Sequence, residues 1–151
     1  MTIRGFTLIE LIIVIAIIGI LAAVAYSGYS AQTTAARRED AKTALMGLAQ
    51  AMERNFTTTN DYTQAIGGGN GPAAPTIFAV QSPVSGGFKH YDLEVTVDPA
   101  AGTYTLQAIP SVDSPQYGDG FLQLESSGLR GWDRNDSTTI DAGEQCWEKT
   151  C

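Results

Sequence analysis

Gly5-Phe6-Thr7-Leu8-Ile9-Glu10 runs without a break into Leu11-Ile12-Ile13-Val14-Ile15-Ala16-Ile17-Ile18-Gly19-Ile20-Leu21-Ala22-Ala23-Val24-Ala25, and this stretch decides the fold. Glu10 is the one charged side chain from Phe6 through Tyr26. A helix needs about 20 mostly apolar residues to cross a bilayer core, and residues 6–26 supply that length. A carboxylate inside such a segment costs roughly 2.5–3.5 kcal/mol on insertion scales, so it calls for a role and a partner.

The residues ahead of the run narrow what that partner is. Residues 1–5 carry one positive charge, Arg4, and end in glycine at the edge of the apolar stretch. A secretory signal places its small-residue cleavage site beyond the apolar region. Here the candidate cut, between Gly5 and Phe6, precedes it. Cleavage there leaves a free amine on Phe6, with Glu10 about one helical turn further along the axis at about 1.5 Å per residue. When two such helices pack in parallel with a stagger, the amine of one meets the carboxylate of the next. In a low-dielectric surrounding that pair sets register.

Gly5-Phe6-Thr7-Leu8-Ile9-Glu10-Leu11 and its apolar continuation resemble the N-terminus of a type IV prepilin. The resemblance implies a prepilin peptidase that cuts after Gly5 and methylates the new amine of Phe6. It also implies that Glu10 guides the subunit into a growing filament. The other reading of the same residues is a plain signal anchor with an incidental glutamate.

The chain of 151 residues suits one modest domain plus an anchor. Its formal net charge is −7, and from His90 onward eleven Asp and Glu stand against three Lys and Arg. Phosphate binding draws on Lys and Arg, so no nucleic acid is expected as a partner unless Arg37, Arg38 and Lys42 form a strip.

Beyond the apolar run, residues 31–56 are rich in good helix formers and free of proline. Ala41, Leu45, Leu48, Met52 and Phe56 recur at spacings of three and four, which makes one apolar stripe. Arg37, Arg38, Glu39, Asp40, Lys42, Glu53 and Arg54 fall mostly off it, toward water or neighbours. One helix from Phe6 to about Phe56 would be about 75 Å long. Ser27-Gly28 interrupts the good formers and permits a bend. Many pilins carry proline at the position of Ser27, so the chain departs from them there.

Glycine and proline at high density then mark a connection over residues 59–90, with short structured pieces expected near residues 76–80. Tyr91, Leu93, Val95 and Val97 alternate with polar residues as in a half-buried strand. Tyr104, Leu106 and Ala108 give the returning strand after the Asp98-Pro99-Ala100-Ala101-Gly102 turn. Phe121-Leu122-Gln123-Leu124-Glu125 and residues 129–132 follow. The expected fold is α+β: a long N-terminal helix, apolar in its first half and amphipathic in its second, packed on an antiparallel meander. The divisions are a leader at 1–5, a transmembrane or filament-core half at 6–30, and a head at 31–151. The head comprises helix 31–58, connection 59–90, sheet 91–132 and a C-terminal loop region 133–151.

Tyr104-Thr105-Leu106, Gly118-Asp119-Gly120, Leu122-Gln123-Leu124-Glu125 with Gly128, and Cys146-Trp147 are similar in rhythm to the minor pilins called E-type. Those proteins usually place a cysteine near Gly120-Phe121 to bridge the one at Cys146. Here Cys151 is the remaining candidate. Cys146 and Cys151 close a short loop if bridged, stabilising by about 2 kcal/mol, and otherwise stand as two thiols.

In residues 133–144, oxygen donors fall at positions one, three, five, nine and twelve, as in a helix-flanked calcium loop. Thr138 stands where that loop requires glycine, which argues against an EF-hand. A looser calcium site of Asp133, Asn135, Asp141 and Glu144 rests on the pattern and on related subunits that hold calcium near this end. The alternative is a solvated acidic loop, and no other cofactor is expected. His90 has no cysteine or carboxylate cluster around it beyond Asp92, and no nucleophile or phosphate-loop motif is present, so no enzyme is expected.

The resemblance implies a minor subunit of a type IV pilus that is incorporated into the filament or primes it, with roles in twitching motility, adhesion or DNA uptake. Its partners would be other pilin subunits, the prepilin peptidase, the inner-membrane assembly machinery and, before assembly, membrane lipid. It would reside in the inner membrane with a periplasmic head, and in the extracellular pilus after assembly. A major pilin, a type II secretion pseudopilin and a membrane-tethered binding module are the alternatives.

Overall fold

A computed structural model describes residues 6–148 and 150–151, with backbone alone for residues 24–27. The leader and Gly5 therefore lie outside the described residues, as does the side chain of Ser27. The chain divides into two compact units, Met1–Ala36 and Arg37–Cys151. Helix α1, Leu8–Thr59, runs through both and stays α-helical at residues 27 and 28.

In the second unit the apolar stripe of α1 becomes the floor of the core. Ala41, Ala44, Leu45, Leu48, Ala51 and Met52 are all buried, at the spacing of three and four that one helix face requires. Phe56 stays half-exposed and stacks on Tyr62 with ring centroids 4.3 Å apart. Asn60 in the left-handed region (φ 53°) ends the helix, its amide donating to Phe56 O.

The stripe is covered by a five-stranded antiparallel meander in the order β1-β2-β3-β4-β5. Its strands are β1 Gln81–Ser82, β2 Tyr91–Asp98, β3 Thr103–Pro110, β4 Leu122–Glu125 and β5 Arg130–Trp132. The period-two pattern is met in full. Tyr91, Leu93, Val95, Val97, Tyr104, Leu106, Ala108, Leu122 and Leu124 all point into the core. Asp98 Oδ1 accepts from the amides of Ala100 and Ala101, and Gly102 (φ 64°) completes the β2–β3 turn.

Residues 59–90 are more ordered than their composition suggests. A short 3-10 helix, Tyr62–Ile66, buries Ala65 and Ile66, and the sheet already begins at Gln81. Thr76 donates from its amide to Ala65 O, and Ala73 bridges Val95. The amides of Leu93 and Val97 donate to Val80 O and Asn70 O, so this connection lies along the outer rim of β2. The opposite rim is closed as well, since Trp132 N donates to Glu144 O in the C-terminal segment.

Candidate assembly surface and the head that carries it

In the first unit, the large apolar side chains from Phe6 to Leu21 are exposed, Phe6 by 87% and Leu21 by 64%. An interior helix would have buried such residues. α1 is long and apolar enough to cross a membrane, with a mean hydropathy of 3.0 over its most apolar window. At its start Thr7 and Glu10 form a reciprocal capping box. Glu10 N donates to Thr7 Oγ1 at 3.3 Å, while Thr7 Oγ1 and N donate to Glu10 Oε2 at 3.2 and 3.4 Å. The carboxylate is thus held by its own helix end. The Thr-x-x-Glu spacing before an apolar run carries this signal in the sequence, so Thr7 was readable as Glu10's partner.

The head is pinned to α1 by a polar cluster. Arg38 donates from Nε and Nη2 to Asp119 Oδ2 and Oδ1 at 2.8 and 3.0 Å, a bidentate pair. Its guanidinium lies 4.0 Å over the Trp132 ring, and Trp132 Nε1 donates to Asp119 O at 2.8 Å. Tyr91 donates to Asp119 Oδ2, and Gln116 Nε2 donates to the Tyr91 hydroxyl. Burial pushes the Tyr91 phenol up to about 12. Arg38 and Lys42 therefore do not face water: the side chain of Arg38 is 11% exposed, and Lys42 is buried against Glu39 at 2.7 Å. A stripe drawn from apolar residues alone misses them. Arginine and lysine cover apolar surface with their stems while their charges find partners.

Around Glu53 sits a second cluster. Tyr104 and Tyr62 both donate to its carboxylate, and burial holds the Tyr104 phenol well above its ordinary value. His90 Nδ1 lies 3.1 Å from Ser114 Oγ at the start of β2; burial, followed by Arg37, lowers its affinity for a proton.

Cys146 and Cys151 are bridged, with Cα atoms 5.8 Å apart. Trp147 inside that loop is buried in the core, and its indole donates to Gln123 O of β4. The loop of residues 133–144 turns its carboxylates inward on itself. Asp133, fully buried, accepts from the amides of Ser137 and Thr138. Glu144 accepts from the amides of Arg134 and Asp141, and Asp141 Oδ2 from Asn135 Nδ2. Donors of the same loop thus bond to the oxygens that the calcium pattern singled out, backbone amides to Asp133, Asn135 and Glu144 and side chains to Asp141. Among the described residues, no group of three or more His, Cys, Asp and Glu stands ready to hold a metal.

Two family models cover the chain from its first residue to the β3–β4 loop. The prokaryotic N-terminal methylation motif matches residues 1–26, and the type IV minor pilin ComP, DNA uptake sequence receptor, matches residues 27–120, more than half of the chain. Among solved structures, a type IV pilin from Shewanella oneidensis is similar at 22% identity, covering 72% of this chain and 98% of that one with a TM-score of 0.41. No curated protein matches. With the methylation motif on an apolar, membrane-anchoring helix and the ComP pattern over the head, the chain belongs to the type IV minor pilins.

Proposed function

We propose that this minor pilin is cut after Gly5, methylated on the amine of Phe6, and held in the inner membrane by residues 6–30 until it enters a type IV pilus. The exposed large apolar side chains of α1 in the first unit carry this reading, since among the described residues those from Phe6 to Leu21 are left uncovered. Lipid covers such a face before assembly and neighbouring helices cover it afterwards. Both surroundings are apolar, so transfer between them costs little, and association rests on close packing and polar contacts. Glu10 then exchanges its hold on Thr7 for the amine of another subunit. The role is structural, with no reaction assigned. Mass spectrometry of sheared pili tests it: a trace component whose first residue is methylated Phe6 is expected. Absence from pili, or an intact Met1, refutes it.

A second reading comes from the description of the matching family, a DNA uptake sequence receptor. Carried to this chain, it assigns the head a part in DNA uptake, against the expectation set by the acidic composition. Several of the head's cations are already engaged among the described residues. Arg38, Lys42 and Lys89 are in ion pairs, and Arg130 lies over Trp147. Direct contact should therefore be weak and largely lost between about 50 and 200 mM salt. Band shifts of the detergent-purified protein on duplex DNA across that range test it. No shift at the lowest salt removes direct binding.

A further inference from the structure

The sequence contains the same local frame twice, acid-Arg-Asn-x-hydroxyl-Thr-Thr. It reads Glu53-Arg54-Asn55-Phe56-Thr57-Thr58-Thr59 and again Asp133-Arg134-Asn135-Asp136-Ser137-Thr138-Thr139. Each copy holds Asn-x-Ser/Thr without proline at x, the acceptor pattern for an N-linked glycan on an exported surface. The fold sets the two copies in different surroundings.

Asn55 lies in the last turns of α1 and is half-buried. The hydroxyl of Thr57, which the acceptor pattern needs, is turned onto the helix and donates to Arg54 O at 2.7 Å. Asn55 Oδ1 accepts from Thr59 Oγ1, and its carbonyl accepts from the hydroxyls of Thr58 and Thr59. Presenting this site to an enzyme means unwinding the end of the helix.

Asn135 and Ser137 are both exposed, in a loop outside any strand or helix. Ser137 N donates to Asn135 Oδ1 at 3.0 Å, an Asx turn that brings the amide side chain beside the residue two positions on. Asn135 Nδ2 reaches the surface carboxylate of Asp141 at 3.0 Å. Asp136 and Thr138 are both left-handed, at φ 55° and 72°, so the chain turns back on itself at the acceptor. The amides of Ser137 and Thr138 hang on the Asp133 carboxylate instead of a strand ladder, and little regular structure must open to admit an enzyme.

We propose that Asn135 is the acceptor of an N-linked oligosaccharide. The donor class is a sugar chain on a polyprenyl diphosphate, used by a membrane-bound transferase. Asn135 Nδ2 bonds to the anomeric carbon of the first sugar as the bond from that carbon to the diphosphate oxygen breaks. The polyprenyl diphosphate leaves with the electron pair, and the amide proton passes to a carboxylate base of the transferase. No oxidant or reductant is involved. The proposal rests on export of the head, as the proposed function has it.

Peptide mapping of the protein purified from the membranes of its own cells tests both in one digest. The expected result is a hexose or N-acetylhexosamine series on the peptide containing Asn135, lost in Asn135→Gln and Ser137→Ala, kept in Ser137→Thr, and unaffected by Asn55→Gln. A peptide found only at its unmodified mass, or a sugar series that survives Asn135→Gln, overturns the proposal. The N-terminal peptide reports separately on export: methylated Phe6 beside a bare Asn135 removes the glycan and leaves the pilin reading standing.

Discussion

Glu10→Ala is expected to leave the protein in the membrane fraction and to reduce its incorporation into pili by two or more orders of magnitude. Removing the carboxylate relieves an insertion cost of roughly 2.5–3.5 kcal/mol, so anchoring improves if it changes at all. Incorporation moves the other way. The amine of a neighbouring Phe6 must then enter an apolar core without an anion, and breaking a buried pair from one side costs about 3–5 kcal/mol. At 1.4 kcal/mol for each tenfold change, that is a hundredfold loss or more. Glu10→Gln separates charge from hydrogen bonding, because glutamine can still close the capping box with Thr7. Immunoblots of sheared pili and of membranes read both variants. Alanine at wild-type levels in pili would leave Glu10 without the assembly role.

Gly120→Ala is expected to be the most damaging single change in the head. Gly120 adopts φ 73°, and a Cβ built there falls 1.5 Å from the carbonyl oxygen of Asp133, a backbone atom that cannot step aside. A left-handed alanine costs roughly 1–2 kcal/mol. Forcing apart the segments just before β4 and just after β5 adds about 1–3 kcal/mol, for a total of about 2–5 kcal/mol. The neighbourhood makes this worse. Asp119, one residue earlier, holds Arg38, and Asp133 N donates to Phe121 O, so the displacement reaches both the clamp on α1 and the pairing beside β5. Urea denaturation followed by tryptophan fluorescence would show the loss, since Trp132 and Trp147 are both buried and Trp132 donates to the carbonyl of neighbouring Asp119. An unchanged midpoint would mean that the close approach of Gly120 to Asp133 is wrong.

Where one physical signal dominated, the sequence could be read directly. The uninterrupted run of residues 6–26 announced a helix that no core could absorb, and the alternation of Tyr91, Leu93, Val95 and Val97 set the start of β2 and its inward face, with its end one residue further on at Asp98. Cys146 and Cys151 were the only two thiols, and they are bridged. The misses have a common cause in long-range partners. Nothing near Arg38 in sequence points to Asp119 or Trp132, so a helix-face argument left its charge facing water or neighbours without choosing between them. Nor does the glycine-rich composition of residues 67–71 reveal that β2 lends its edge to this connection at Val95 and Val97. The loop of residues 133–144 supports two readings at once. Its oxygens are spaced as a cation would need them, yet short acidic side chains with two left-handed residues between them also suit amides of the same loop. Thr7 is the exception, a local partner whose signal was present and lay within three residues of Glu10.

The closed rims of the sheet matter most where one head is crowded against others, as a minor subunit would be among the major ones of a fibre. A bare strand margin in that crowd would invite ladder formation between neighbours, the route to amyloid-like clumping. Here residues 70–80 occupy the margin of β2, and the disulfide-tied tail, through Glu144, occupies that of β5. If the proposed assembly holds, association is thereby left to the greasy rods and kept from the sheets.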